Sequence, residues 1–257
     1  MLLIRNLLYW LFLSVFTVVW MPIVVLSMLI PRGVNYTTTF WAVSLLWMLE
    51  YIIGLKYRVI GREHIPAEPS IICCKHQSGW ETLAIQKFFP LQVFVAKKEL
   101  FWIPFFGWGL KLAGTIGIDR GNPKSASQQI MAQGNKRKTQ GLWISIFPEG
   151  TRIKPGFRGR YKHGAARMAQ LLKMNLVPVA LNSGEFWPKN SFFKYPGEIT
   201  VVIGETINYQ AAATPEELTK LCETWIENEQ TKIQGAGPFA EKNPKIPTPL
   251  WTDRTAA

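Results

Sequence analysis

The chain has 257 residues, 48% of them hydrophobic, and a formal net charge of +12. Its three cysteines, Cys73, Cys74 and Cys222, exclude a disulfide framework and show no metal-ligand spacing, so a reducing compartment fits best. The charge is uneven: 16 Lys or Arg stand between Lys87 and Lys173 against Glu99, Asp119 and Glu149, whereas residues 1–55 hold only Arg5, Arg32 and Glu50. Such a block attracts polyanions: nucleic acid, an anionic membrane face, phosphorylated substrates or an acidic carrier protein.

From Leu7 to Ile30 there are 24 residues without a charge, enough for a helix of roughly 36 Å. The run is too long for a signal-peptide core and no small-residue cleavage site closes it, so it reads as a retained anchor. Pro22 predicts a kink. "PRGVN" makes a turn, and the hydroxyls of Thr37, Thr38 and Thr39 are placed to cap a second apolar segment from Phe40 to Leu55. The two segments form a hairpin, spanning or lying in one leaflet, that returns the chain to its starting side. Lys56, Arg58 and Arg62 directly after it point to the cytoplasmic side.

Beyond residue 55 the texture changes. Short apolar runs at 57–60, 70–74, 93–96, 142–147, 176–181 and 199–203 read as strands. Helical patterns fall near 80–89, 124–139 and 162–173. This alternation predicts a layered α/β domain with a mostly parallel sheet over residues 56–234, behind a hairpin at 1–55. Residues 214–230 carry a complete helix start, with Thr214 at the cap, Pro215 at N1 and Glu217 closing a capping box. The Pro-rich tail, 235–257, is expected to be loosely ordered.

In open α/β sheets ligands bind beyond the carboxyl ends of the strands. "KHQSGWE", "KKEL", "PEGTR" and "NSGE" each follow a predicted strand, so parallel strands would place all four clusters on one rim. In the first, Ser78 and Glu81 have capping-box spacing, which alone would leave His76 an ordinary loop residue. The same helix start also lets Glu81 fold back toward His76. A free histidine titrates at about 6.5, suited to general-base work at neutral pH. "FPEGTR" combines a glycine turn with a guanidinium, whose fork matches phosphate oxygens; "GIDRGN" adds Arg120.

Taken in series, "HQSGWE", "GTIGIDR", "FPEGTR" and "VPVALNSG" make the chain resemble the 1-acyl-sn-glycerol-3-phosphate acyltransferase family from about Tyr57 to Thr206. Many members carry Asp where this chain has Glu81. The resemblance implies transfer of an acyl group from acyl-coenzyme A or acyl-carrier protein to the sn-2 hydroxyl of lysophosphatidic acid, giving phosphatidic acid. His76 would be the general base and Glu81 its orienting partner. Glu149, Gly150, Thr151 and Arg152 would bind the acceptor, with Arg152 on the phosphate; Arg120, Lys97 and Lys98 are further phosphate candidates. Helix-terminus physics nominates the backbone N–H groups at Ser78 and Gly79 for the oxyanion. "VPVALNSG" would shape the acyl or carrier site. No cofactor or metal is implied, and the partners are the two substrates and an anionic membrane surface. The basic run 154–167 contains aromatics but no nucleic-acid-binding signature accompanies it, so nucleic acid is not an expected partner. The implied location is a membrane, the inner one in a bacterium, with the catalytic domain facing the cytoplasm. Two rivals stand beside this reading. One is a covalent route through Cys73 or Cys74; the other is a non-enzymatic lipid-binding adaptor.

Overall fold

The computed structural model describes residues 1–118 and 123–241, the side chains of 123–130 apart. Seven strands form one sheet: β1 (Leu55–Ile60), β2 (Ile71–Cys74), β3 (Gln92–Lys97), β4 (Ile116–Ile118), β5 (Trp143–Ile146), β6 (Leu176–Leu181) and β7 (Gly197–Ile203). Their order is β1-β7-β6-β2-β5-β3-β4, and every neighbouring pair is parallel except β6 and β7. The central strands β2, β5 and β6 are buried along their whole length, which is why they read as unbroken apolar runs rather than alternating ones. Alternate residues serve opposite faces: Ile72 and Cys74 join one core cluster, Ile71 and Cys73 the other.

Helices α1 (Leu2–Leu26), α2 (Gly33–Met48) and α3 (Trp80–Phe88) contribute to the first cluster. Helices α6 (Gly164–Leu172) and α7 (Pro215–Ile233) supply the second. The remaining helices are α4 (Phe106–Leu112) and α5 (Pro123–Thr139). As expected, α7 begins with a complete capping box between Thr214 and Glu217, with Pro215 in the first turn. Strand β4 was not anticipated. At three residues with a central glycine it is too short to show a period, and a Cβ on Gly117 would meet the Phe101 ring at 2.7 Å.

The N-terminal hairpin shares the core of the sheet. Tyr9, Ala42, Leu45, Leu49 and Ile53 are fully buried beside Trp80 and Val179. The other face of α1 is unpartnered, with Leu3, Ile4, Leu7, Leu11 and Val19 about half exposed or more. Leu2–Leu29 is long and apolar enough to cross a membrane, with a mean hydropathy of 2.3 in its most apolar window. The second helix starts seven residues before the expected Phe40. The expected caps instead lie inside it, where Thr37 and Thr38 donate to the carbonyls of Gly33 and Val34 one turn back. Hydroxyls can make such bonds without ending a helix. The start of the tail is also firmer than its composition predicts: the N–H groups of Gly235, Ala236 and Gly237 all donate to the buried Glu185 carboxylate at 2.7–2.9 Å. Residues 242–257 lie outside the described residues.

Candidate active site

β2, β3, β5 and β6 are mutually parallel, so the four clusters do share one rim. Lys75 and His76 directly follow β2. Helix α3 then begins at Trp80 with Gly79 at its N-cap, one residue later than the Ser78 cap expected from the sequence. The part of the capping box that forms is the carboxylate. Glu81 Oε1 accepts the N–H groups of Gln77 and Ser78, each at 2.7 Å. Ser78 Oγ takes the Trp80 N–H at 3.2 Å.

The same Glu81 oxygen lies 2.8 Å from His76 Nδ1. An ionised carboxylate only accepts, so Nδ1 carries the proton and Nε2 is the nitrogen left for chemistry. Ser183 Oγ donates to Glu81 Oε2 at 2.7 Å. Glu81 is therefore buried yet surrounded by four donors, which offsets its loss of water. The His76 ring stacks on Phe147, with centroids 4.0 Å apart. Because the Ser78 N–H is given to Glu81, it is not available to an oxyanion, a correction to the expected role. Gly79 stays at the helix start, beneath the Trp187 ring.

Beneath the histidine lies a buried ion cluster that sequence reasoning missed. Lys75 is fully buried, its Nζ 2.8 Å from Glu149 and 2.7 Å from Glu227 of α7. Glu149 Oε2 accepts the His76 backbone N–H at 2.9 Å, and Glu227 accepts from Tyr161 Oη at 2.8 Å. Burial pulls the Lys75 pKa down, but the two carboxylates outweigh it and hold the ammonium above its usual range. Burial raises Glu149 against the opposing pull of Lys75. Glu149 thus faces the protein interior and braces His76 from behind. The expected direct contact with an acceptor does not match that burial.

His76 opens onto a cavity of about 830 Å³, within the range that ligand pockets occupy, roughly 300–1,000 Å³. Arg152, Lys189, Lys162, Arg167 and Lys97 line it with Gly150 and Thr151, and the rest is mostly apolar. Gly150 takes φ +65° and its N–H closes a turn onto the Phe147 carbonyl at 3.0 Å, so the glycine is a backbone requirement there. Trp20, Met21 and Val24 of α1 and Trp41 of α2 form part of the apolar wall. The hairpin is thus part of the site as well as a candidate anchor, and no local motif signals that double use.

Lys97 reaches the cavity, whereas Lys98 packs its stem toward Gly117 and does not line it. Arg120 lies outside the described residues. The "VPVALNSG" block does not line the cavity either, correcting its expected role. Ser183 holds Glu81, and Asn182 ties the Thr200 N–H to the Ile233 carbonyl. Within the basic run, Arg158 pairs with Glu223 at 2.6 Å. His64 contacts the Ile203 carbonyl, and His163 contacts Thr219 while also bordering the cavity. Among the described residues no three His, Cys, Asp or Glu side chains converge as metal ligands would.

Cys73 and Cys74 are both buried. The neighbouring Cys222 thiol and burial push Cys73 well above its usual range, and burial does the same to Cys74. A thiol held protonated is a poor nucleophile. The doubly substituted Cys73→Ala/Cys74→Ala protein is therefore expected to keep near-normal acyl transfer. A complete loss, with the fold intact by circular dichroism, would revive the covalent route.

The family model described as "Acyltransferase" matches residues 56–182, a stretch that holds His76, Glu81 and the "FPEGTR" loop and so makes the class that of an acyl-transfer enzyme. The chain is 37% identical over 235 residues to the 1-acyl-sn-glycerol-3-phosphate acyltransferase of Pseudomonas aeruginosa, covering 90% of this chain and 91% of that one. It is 26% identical over 211 residues to the mouse enzyme named 1-acyl-sn-glycerol-3-phosphate acyltransferase alpha, covering 80% and 74%. The crystal structure of the 1-acyl-sn-glycerophosphate acyltransferase from Thermotoga maritima shares the fold, with a TM-score of 0.75 and 23% identity over 90% of this chain and 97% of that one. The chain belongs to the 1-acyl-sn-glycerol-3-phosphate acyltransferase family. It is an enzyme, which sets aside the adaptor reading.

Proposed function

We propose that the protein acylates the sn-2 hydroxyl of 1-acyl-sn-glycerol 3-phosphate, using an acyl thioester of coenzyme A or acyl-carrier protein, and so makes phosphatidic acid for phospholipid synthesis. The observation that carries this reading is one cavity with His76 on its wall whose lining combines five basic side chains with a mostly apolar remainder. An amphiphile with a phosphate and an acyl chain fits both characters. In this mechanism His76 Nε2 takes the proton of the acceptor hydroxyl as its oxygen attacks the thioester carbon. The C–S bond breaks as the tetrahedral oxyanion collapses, and the imidazolium returns the proton to the leaving thiolate. Glu81 stabilises the transient imidazolium and fixes its tautomer.

Arg152 lines the cavity, and its one side-chain hydrogen bond among the described residues, Nη2 to Asn190 Oδ1 at 3.4 Å, is long enough to yield to a phosphate. On this reading the site lies at a bilayer surface, which the exposed apolar face of α1 supports, and Lys56, Arg58 and Arg62 favour the cytoplasmic side. The test is transfer of a labelled acyl group from each donor to lysophosphatidic acid in detergent. Inactivity with both donors, together with activity on another lysophospholipid, would overturn the acceptor assignment. Arg152→Ala is expected to lower kcat/KM about 10- to 100-fold, chiefly through acceptor KM, as loss of a charge-assisted contact requires. An unchanged acceptor KM would remove Arg152 from the phosphate.

A further inference from the structure

The ten-residue loop Phe186–Tyr195 touches α1 on one side and the "FPEGTR" loop on the other. The Tyr195 N–H closes its base on the Phe186 carbonyl at 3.0 Å. Its tip bears Lys189, whose Nζ donates to Thr151 Oγ1 at 3.2 Å, and Asn190, the partner of Arg152. Its returning arm is held by α1. Asn6, fully buried, donates to the Lys194 carbonyl at 3.1 Å and accepts the Lys194 N–H at 2.8 Å. One side chain thereby imitates a backbone pair across 188 positions of sequence. Trp10 Nε1 donates to the Phe192 carbonyl at 3.0 Å.

The Lys194 side chain then turns into a ring of aromatics. Its Nζ lies 3.6 Å from the Trp10 centroid, 4.6 Å from Trp187 and 4.9 Å from Tyr9. Among the described residues no carboxylate pairs with it, so the ring faces and the Phe192 carbonyl at 3.1 Å are what hold the ammonium. Burial draws Lys194 down to about 7, whereas the Asn6 clamp is indifferent to that charge. Trp187, one wall of the ring, also covers Gly79 at the start of α3.

A loop with a buried polar clamp on its returning arm and, at its tip, Lys189 and the partner of Arg152 links the apolar helix to the cavity wall. We propose that Asn6 and Lys194 are positioning residues for the acceptor phosphate: by seating the loop on α1 they fix Lys189 and Asn190 against Thr151 and Arg152. Lys189 is on this account a further phosphate ligand. The inference rests on the reading of Arg152 as the phosphate site, and it predicts that α1 contributes to acceptor recognition through this loop as well as through the cavity wall.

The test measures KM for lysophosphatidic acid and for the acyl donor, with kcat, in the full chain in detergent. Asn6→Ala and Lys194→Met are each expected to raise acceptor KM about tenfold, with kcat and donor KM within about twofold, since a misplaced ligand weakens one substrate selectively. Lys194→Arg should restore most of the loss. In a Lys189→Ala background the Asn6→Ala effect should shrink, because both act through one side chain. Asn6→Ala leaves the aromatic ring intact and keeps the test available if Lys194→Met fails to fold. If Lys189→Ala raises acceptor KM but Asn6→Ala lowers only the unfolding temperature, or shifts all three constants together, the positioning role is overturned. If neither Lys189→Ala nor Arg152→Ala moves acceptor KM, the phosphate assignment itself falls.

Discussion

His76→Ala is expected to reduce acyl transfer by roughly 10²- to 10⁴-fold while leaving the protein folded, the range in which a positioned general base contributes. The ring is only partly buried and stacks on one face of Phe147, so its removal disturbs little packing. Glu81 divides the effect into geometry and charge. Glu81→Ala strands the N–H groups of Gln77 and Ser78 in a buried pocket, and so costs stability as well as rate. Glu81→Gln does not. Those two N–H groups point at Oε1 and would pin an amide oxygen there, keeping the His76 Nδ1–H tautomer. The amide nitrogen would face Ser183 Oγ, which can accept. What remains missing is the negative charge beside the imidazolium. Glu81→Gln is therefore expected to lose about 10- to 100-fold in kcat, less than His76→Ala, with unchanged stability. Single-turnover transfer with both variants, beside thermal unfolding, checks the order. If His76→Ala stays active, the pair is only a helix-start device.

That outcome turns on a distinction the sequence left open. The spacing of His76, Ser78 and Glu81 was legible, because a helix start and a histidine–carboxylate pair both need residues within one turn. The rim was legible for a similar reason: each polar cluster follows a buried strand, and parallel order puts those ends together. What escaped was long-range. Lys75 meets Glu227 across 152 positions, and Ser183 meets Glu81 across 102, distances over which no local period carries information. Lys75 looked like one more member of a basic chain. Its burial comes from the fold, which closes two carboxylates over it. The cavity wall supplied by α1 and α2 escaped because a charge-free run satisfies the membrane reading completely. Nothing in it marks Trp20 or Val24 as also facing the cavity. Glu149 was placed at the right rim and given the wrong neighbour, because an acid inside a glycine turn shows no preference between ligand and interior until a buried cation is located.

Lys75→Met is expected to destabilise the protein by about 3–5 kcal/mol, the cost of breaking a buried ion pair from one side. The loss is a large fraction of a domain's total of roughly 5–15 kcal/mol. Methionine fills much of the space, so lost packing is a minor part. The main effect is that Glu149 and Glu227 face each other in the interior without their cation. This gives the defect a pH signature. Burial already raises Glu149 in the native protein, and Lys75 opposes that rise. Without Lys75 the folded-state pKa climbs further above its unfolded value. A carboxyl raised on folding binds its proton more tightly in the folded state, so stability falls as pH rises through the folded pKa. The variant's deficit should then be smaller at about pH 5 than at about pH 8. Lys75 itself adds no slope in that window: a raised lysine contributes fully below about 10.4 and loses its contribution only as pH rises through the folded value. Pairing the change with Glu149→Gln removes one of the stranded charges and should recover part of the stability. Activity should recover less, because the His76 N–H now meets a weaker, neutral acceptor in place of the carboxylate. Denaturant unfolding in detergent, followed by tryptophan fluorescence at the two pH values, reads both effects. A Lys75→Met protein as stable as wild type at about pH 8 would show that solvent reaches the cluster, and that the brace behind His76 does not depend on it.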